Sequence, residues 1–178
     1  MSSPSLPQRA QIVIIVAYHL TKLGHTDMVL LEQGQLSCGT TWHAAGLVGQ
    51  LRASESGTRL VQYSTALYAE LEAETGLSAG YKQCGGVTVA RTEDRMTQLR
   101  RTAASAAAYD LDCELLSPEE AFERYPVMGV DDLVGAIWLP ADGKANPTDL
   151  TMALAKGARL RGARVVEHVR VLDVLTAD

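Results

Sequence analysis

The segment that most constrains the fold is residues 12–33, IVIIVAYHLTKLGHTDMVLLEQ. The short, β-branched apolar run at 12–15 is typical of a strand buried on both faces of a parallel sheet. A helical pattern at 17–23 follows and ends at a glycine. A second apolar run, at 28–31, is closed by Glu32. Strand, helix and strand in this order predict a right-handed parallel crossover, which is how a dinucleotide-binding unit begins.

The same segment lacks a glycine between its first strand and its helix. In a dinucleotide-binding unit, glycines at this point make a tight turn, let the backbone approach the diphosphate and allow the helix to pack on the strand. Val16 can do none of these. Ile15 and Glu32 are 17 positions apart, whereas the acidic residue ordinarily follows the glycine fingerprint by ~20 residues. The sequence therefore predicts a nucleotide-binding start without its phosphate loop.

Composition excludes several classes of function. The 178 residues, 47% hydrophobic and 21% charged, are typical of a globular protein with a real core. The net charge of -5 argues against a nucleic-acid or anionic-membrane partner. No segment approaches the ~20 apolar residues of a membrane span. Three widely spaced cysteines predict free thiols in a reducing compartment. We expect a cytoplasmic protein, or a mitochondrial-matrix protein in a eukaryote.

Three segments are expected in an α/β fold built on a Rossmann-like domain. Residues 1–79 would form the first part of the nucleotide-binding domain, 80–140 an inserted α+β segment on the substrate side, and 141–178 a return to the parallel sheet. The predicted elements after residue 50 are a helix at 58–75, a strand at 85–90, helices at 93–109 and from Pro118, a strand at 133–139, a helix at 148–161, and strands at 163–167 and 169–175. Because the sequence stops on a strand exit, we expect a C-terminal truncation.

Two of these helices carry start signals. Ser117 is a predicted N-cap, with Pro118 at the first helical position and Glu120 completing a capping box. Asn146 and Pro147 form the corresponding start of the helix at 148–161. These signals fix two helix starts independently of the hydrophobic pattern.

A run of motifs identifies a family. The stretch LLEQGQLSCGTTWHAAGLVGQLR resembles the flavin-attachment region of the sarcosine and dimethylglycine dehydrogenase family, within the D-amino-acid-oxidase-like flavoproteins. The stretches AYHLTKLG, ELEAETG, LSPEEAFERYP and DGKANPTDLTMALAKGARLRGA are similar to the same family in the same order. The resemblance implies an FAD-binding domain and oxidative N-demethylation of a small N-methylated amino acid. It also implies tetrahydrofolate as one-carbon acceptor in a C-terminal domain without a counterpart here.

The resemblance assigns cofactor-binding roles to individual residues. It implies that the His43 imidazole is joined covalently to the flavin 8α-methyl group; the alternative is a loop histidine bonded to the backbone. Glu32 would accept hydrogen bonds from the adenosine ribose, with Gln33 beside it, or would be an ordinary solvated glutamate. Trp42 would flank the flavin ring or fill the core. The remaining residues implied are Gly39, Thr40, Thr41, Ala44, Ala45, Gly46 and Leu47 along the diphosphate and flavin, and Val171 against the adenine or simply within a strand.

No residue receives a catalytic or metal-binding role. Asp142 lies close to Lys144, but the stretch PADGKANP is interpreted as a turn leading into a capped helix. Flavin oxidation of an amine mainly requires the substrate C–H to lie over flavin N5. Two alternatives to the dehydrogenase stay open: a non-catalytic remnant that binds no dinucleotide, and an NAD(P)-dependent dehydrogenase in which TTWHAAG has no role.

Overall fold

The computed structural model describes residues 14–173 and residue 175. Its helices and strands are, in chain order, α1 (Ile14–Lys22), β1 (Val29–Leu31), β2 (Leu47–Val48), α2 (Glu55–Thr75), β3 (Lys82–Gln83), β4 (Gly86–Ala90), α3 (Glu93–Ala107), β5 (Glu114–Leu116), α4 (Pro118–Arg124), β6 (Gly135–Leu139), β7 (Gly143–Lys144), α5 (Pro147–Leu160) and β8 (Arg164–Val166). A 3₁₀ helix spans Thr41–His43.

The chain divides into two units. The first, here called the parallel unit, contains residues 14–46, Tyr68–Tyr81 and the described residues from Ala145 on. The second, the antiparallel unit, contains Leu47–Leu67 and Lys82–Lys144. The predicted functional division at residues 79 and 140 stays a prediction, because these units are defined by contacts alone.

The parallel unit takes its name from the pairing of β1 with β8. The two strands run parallel, with Val29 opposite Arg164 and Leu31 opposite Val166. Helix α1 packs along α5, and the ring of Tyr18 is fully buried there. Gly157 permits this approach, because a Cβ at that position would lie 2.7 Å from Tyr18 Cε2.

A polar cluster completes the packing of α1. The Tyr18 hydroxyl donates to Glu74 Oε2 at 2.6 Å, and Arg161 Nη2 donates to Glu74 Oε1 at 2.6 Å. Burial, followed by the hydrogen bond to Glu74, raises the pKa of Tyr18 to about 12. Burial alone would raise the pKa of Glu74, but the hydrogen bonds from Tyr18 and Arg161 hold it below its ordinary value. The carboxylate therefore ties together α1, the end of α2 and α5.

The antiparallel unit is built around β6. Strand β6 pairs with β4 on one side and β5 on the other, and alternate residues point to opposite faces. Ile137 and Leu139 pack with Leu99 of α3, while Ala136 packs with Ala121 of α4. A second small sheet has the order β2-β7-β3. Because both of its faces are covered, β6 is the buried centre of this unit.

The α/β class and most helices agree with the sequence prediction. The capping box at Ser117 and Glu120 is present, and Asn146 Oδ1 accepts hydrogen bonds from the backbone N–H groups of Thr148 and Asp149. Among the described residues, no helix is both long and apolar enough to cross a membrane. Strand β5, and the short strands β2, β3 and β7, were missed because runs of two or three residues have no readable period.

Two predicted strands are wrong where the structure describes them. Ile14 and Ile15 form the first turn of α1, while residues 12 and 13 lie outside the described residues. With no loop between apolar run and helix, the helical pattern extends back into the run. At the other end, residues 169–173 and 175 contain no strand. His168 has a φ of 62°, which turns the chain out of β8 before the predicted strand begins.

Candidate cofactor site

Glu32 lies at the carboxyl end of β1, half-buried. Its backbone N–H donates to the Val166 carbonyl at 2.9 Å, and its carbonyl accepts from Val169 N at 2.9 Å. Its side-chain Oε1 accepts from Gly34 N at 2.9 Å. The two backbone bonds hold the residue in place and the bond from Gly34 orients its carboxylate, while Oε2 has no hydrogen-bond donor among the described residues. A carboxylate held in this way can accept a hydrogen bond from a ribose hydroxyl.

The segment after β8 supports the chain that follows Glu32. The Leu36 backbone N–H donates to Glu167 Oε1 at 2.6 Å, and His168 N donates to the Gly34 carbonyl at 3.0 Å. Val171 lies beyond this contact, outside any strand and 54% exposed. The start of residues 34–46, here called the cofactor loop, is thus fixed by residues far along the chain.

Trp42 and His43 lie in the 3₁₀ helix of this loop. Their ring centroids are 3.9 Å apart with the ring planes tilted by 31°, and His43 N donates to the Thr40 carbonyl at 3.2 Å. Trp42 is 62% exposed, so the alternative that it fills the core is wrong. Because both rings face solvent, a flat ligand can approach them without displacing protein.

Gly46 anchors the other end of the loop. It has a φ of +75°, and a Cβ there would collide with the Ala145 carbonyl oxygen. Its own carbonyl accepts from Ala145 N at 2.8 Å, directly before the Asn146 cap of α5. Only glycine combines this backbone conformation with so close an approach.

The other predicted residues are placed on the surface of the cofactor loop or beside it. A Cβ at Gly39 would have nothing within 4 Å, so that stretch of backbone is open to an incoming ligand. Leu47 begins β2 in the antiparallel unit and is 83% exposed. The exposed residues of the predicted set are Gln33, Gly39, Thr40, Trp42, His43, Ala44, Ala45, Leu47 and Val171, and the half-buried ones are Glu32, Thr41 and Gly46.

These residues fit the two ends of FAD but not its middle. The Glu32 carboxylate suits the ribose, and the exposed rings of Trp42 and His43 suit the isoalloxazine. The diphosphate ordinarily sits on a glycine-rich loop at a helix N-terminus. Helix α1 begins instead with Ile14, Ile15 and Val16, so its first turn offers no such loop.

The structure also contains a cavity that the sequence did not indicate, and this cavity lies wholly in the antiparallel unit. A cavity of about 480 Å³ lies between the chain at 49–53, α3 and the sheet, and Asp142 lines it. Burial raises the pKa of Asp142, against the opposing effects of the Gln50 N–H group and Arg52. The sequence places Asp142 in a turn, and nothing in its local pattern indicates that residues near 50 cover it.

A parallel α/β unit interrupted by an antiparallel one, with an exposed loop after its acidic strand end, defines the class of dinucleotide-binding α/β folds. The crystal structure of L-proline dehydrogenase from P. horikoshii superposes with a TM-score of 0.84 at 26% identity, covering 96% of this chain and 47% of that one. The family model described as FAD dependent oxidoreductase matches residues 14–178. The chain belongs to this FAD-dependent oxidoreductase family.

Two curated relatives cover nearly the whole chain. Sarcosine dehydrogenase, mitochondrial, of Homo sapiens is 39% identical over 97% of this chain and 20% of its own length. Pyruvate dehydrogenase phosphatase regulatory subunit, mitochondrial, of Mus musculus is 38% identical over 97% of this chain and 21% of its own length. The chain thus spans about a fifth of the length of these relatives.

Proposed function

We propose that this chain is the FAD-binding portion of an oxidoreductase that N-demethylates a small N-methylated amino acid, such as sarcosine or dimethylglycine. The observation that carries the proposal is the exposed Trp42–His43 ring pair, 3.9 Å between centroids, on a loop anchored at both ends. The similarity of the chain to sarcosine dehydrogenase supports the substrate class. Bound FAD would supply the electron acceptor, and no residue of the chain is assigned as a base.

Each end of the cofactor would meet a particular residue. Glu32 would bind the ribose through the oxygen that Gly34 does not occupy, with Gln33 beside it. His43 would be the attachment point, because a neutral imidazole nitrogen on an exposed loop is a nucleophile that can reach the flavin 8α-methyl group. Trp42, stacked on His43, would restrict the imidazole to a few orientations. Residues Gly39 to Leu47 would run along the cofactor and offer it backbone N–H groups other than those of His43 and Ala44, which donate to the Thr40 and Thr41 carbonyls.

Denaturing precipitation tests the attachment. The chain is incubated with FAD, precipitated in acid, and the flavin fluorescence that stays with the protein is measured. We expect wild type and His25→Ala to retain flavin, because His25 is an exposed histidine outside the cofactor loop. His43→Ala should lose the covalent fraction. Covalent flavin retained by His43→Ala would overturn the assignment of the attachment point.

A second candidate function is a non-catalytic protein of the same fold that binds no dinucleotide. Helix α1 begins at Ile14 without a glycine loop, and one relative is named a regulatory subunit. Titration with free FAD separates the two candidates, because tight binding contradicts the non-catalytic one. Titration with NAD in the same experiment tests the NAD(P)-dependent alternative, which binding of NAD without FAD would favour.

The one-carbon acceptor and the cellular location of the whole protein are part of the same proposal. The tetrahydrofolate acceptor would be bound by a further domain outside the matched region. Relatives named as mitochondrial support the matrix as the location if the source is a eukaryote, and the cytoplasm otherwise. The predicted absence of nucleic-acid and membrane partners stays a prediction.

A further inference from the structure

Both strands of the parallel sheet are followed by a glutamate. Glu32 follows β1 and Glu167 follows β8, and Leu31 lies opposite Val166 in the strand register. The two glutamates therefore come next on neighbouring parallel strands, both half-buried, at the carboxyl edge where α/β sheets bind their ligands. Glu32 has a proposed role in binding the ribose, whereas Glu167 has no role in the proposed function.

The Glu167 carboxylate is bonded to the backbone of the cofactor loop. Its Oε1 accepts from Leu36 N at 2.6 Å, across 131 positions of the chain. A hydrogen bond from an N–H group to an ionised carboxylate is shorter and stronger than one between neutral groups. Leu36 N has no other acceptor in the part of the chain that the structure describes, and the Leu36 side chain is buried. One side chain at the end of β8 therefore holds the start of the loop.

Two residues with unusual backbone conformations adjoin this bond. Ser37 has a φ of 70° and His168 a φ of 62°, in the left-handed region that residues other than glycine seldom adopt. Of the three non-glycine residues with positive φ in the described ranges, these two directly follow Leu36 and Glu167. Such conformations persist only where the surrounding structure holds them. The Glu167 bond, with the bond from His168 N to the Gly34 carbonyl at 3.0 Å, supplies that restraint.

The position of the Trp42–His43 ring pair depends on the chain on either side of it. The described backbone hydrogen bonds of residues 37–45 all join residues three apart, so none of them ties this stretch to the rest of the protein. The 3₁₀ helix lies beside α5, but no described hydrogen bond joins the two. The hydrogen-bonded anchors are therefore Leu36 at one end and Gly46 at the other.

We propose that Glu167 is a positioning residue of the cofactor loop, which places the ring pair relative to Glu32. Glu167 acts through the Leu36 backbone and the turn at Ser37, and not by contact with a ligand. The inference rests on the proposed function for the identity of that ligand, because flavin is the flat group that the ring pair would receive. Loss of the Glu167 carboxylate should displace the rings although both stay in the chain, and small displacements of binding groups are costly.

The flavin-free chain tests this proposal directly, because it contains two tryptophans, Trp42 and Trp138. Their indole Nε1–H resonances are recorded by NMR in ¹⁵N-labelled protein. Glu167→Ala should shift or broaden the Trp42 resonance and leave unchanged that of Trp138, which lies in the antiparallel unit. Exchange of the Leu36 amide hydrogen should accelerate about 10-fold, as expected on loss of a charge-assisted bond. A lower free energy of unfolding alone would leave both native-state indole resonances in place.

Two further variants identify the carboxylate as the cause. Glu167→Gln keeps an acceptor oxygen at the same distance from the backbone and should restore the Trp42 resonance. Glu123→Ala is the matched control, because Glu123 is an exposed glutamate on α4 of the antiparallel unit. An unmoved Trp42 resonance in Glu167→Ala, or equal changes at both tryptophans, would overturn the proposal.

Bound flavin gives a second readout. At saturating FAD, the visible circular dichroism of the flavin reports the geometry in which it is held, and the titration reports its affinity separately. We expect Glu167→Ala to lose part of this signal and Glu167→Gln to recover it, whereas equal spectra in wild type and Glu167→Ala would also overturn the proposal. A wild-type chain that binds no FAD would contradict the proposed function, and the tryptophan resonances would still decide the role of Glu167.

Discussion

The cluster between α1 and α5 and the cofactor loop belong to one unit, but they use their side chains in opposite ways. In the cluster, the Tyr18 ring is fully buried and its hydroxyl has a partner. In the loop, Trp42 is 62% exposed, and its ring centroid lies 3.9 Å from that of its neighbour His43. The cluster satisfies its polar groups internally, whereas the loop is held through its backbone amides and carbonyls and leaves the Trp42 and His43 side chains exposed.

This difference separates side chains that stabilise the fold from side chains that are left exposed. If the comparison is right, substitutions in the cluster should lower the free energy of unfolding, and substitutions of exposed loop side chains should leave it almost unchanged. The two contacts that anchor the loop, Leu36 with Glu167 and Gly46 with Ala145, should behave like the cluster, because their role is structural.

The largest effect is expected at Gly157. A Cβ there would lie 2.7 Å from Tyr18 Cε2 and 2.9 Å from Cδ2, and the buried ring has no room to move. Gly157→Val should therefore lower the free energy of unfolding by about 3 kcal/mol, as overpacking does. Urea denaturation followed by circular dichroism measures it. Gly39→Val, at a position with open space, is the control, and an equal loss in both would contradict the packing argument.

Gly46→Ala should cause the second-largest loss in the free energy of unfolding. The substitution forces a positive φ on an L residue and directs its Cβ at the Ala145 carbonyl, which should cost about 2 kcal/mol. Thermal unfolding measures the loss. Hydrogen exchange at Trp42 and His43 should also accelerate, because the loop loses its second anchor. Unchanged exchange in the loop would show that Gly46 is no anchor.

Removing one hydroxyl from the cluster should have a smaller effect. Tyr18→Phe leaves Glu74 Oε2 without its donor and should cost about 1 kcal/mol at neutral pH. Because the folded pKa of Tyr18 is raised to about 12 from 10.0, this stabilisation is complete below pH 10.0 and is lost as pH rises through about 12. The difference between wild type and Tyr18→Phe should therefore shrink over that range. Tyr125→Phe, at an exposed position, is the control.

The smallest effect is expected at the ring pair. His43→Ala should change the free energy of unfolding by less than about 0.5 kcal/mol, as exposed substitutions usually do, although it should remove covalent flavin. A loss comparable to that of Tyr18→Phe would mean that His43 has a structural role, and the contrast between cluster and loop would fail.

Local signals predicted more of the fold than of the site. The cap at Asn146 and the box at Ser117 and Glu120 depend on neighbouring residues, so the sequence located both helix starts. The apolar run at residue 14 was ambiguous, because β-branched residues also enter a helix when no loop separates them from it. An apolar run of four residues does not distinguish a strand from the first turn of a helix.

The motif names candidate site residues, whose roles stay predictions, but the contacts that hold the loop could not be predicted from the sequence. The motif located Trp42 and His43, yet the contacts of Leu36 with Glu167 and of Gly46 with Ala145 join distant parts of the chain. The same is true of Asp142 and Gln50. Sequence periodicity reports which face of an element is buried, and says nothing about which remote backbone amide a carboxylate will meet.

The bond between Ala145 N and the Gly46 carbonyl also has a consequence for the order of events during synthesis. The chain leaves the ribosome from its N-terminus, so the loop residues emerge long before their anchor at Ala145. Until α5 is made, the loop lacks half of its fixation, and non-local contacts of this kind form late. Any flavin attached through His43 would therefore meet a fully anchored loop only after α5 has been made.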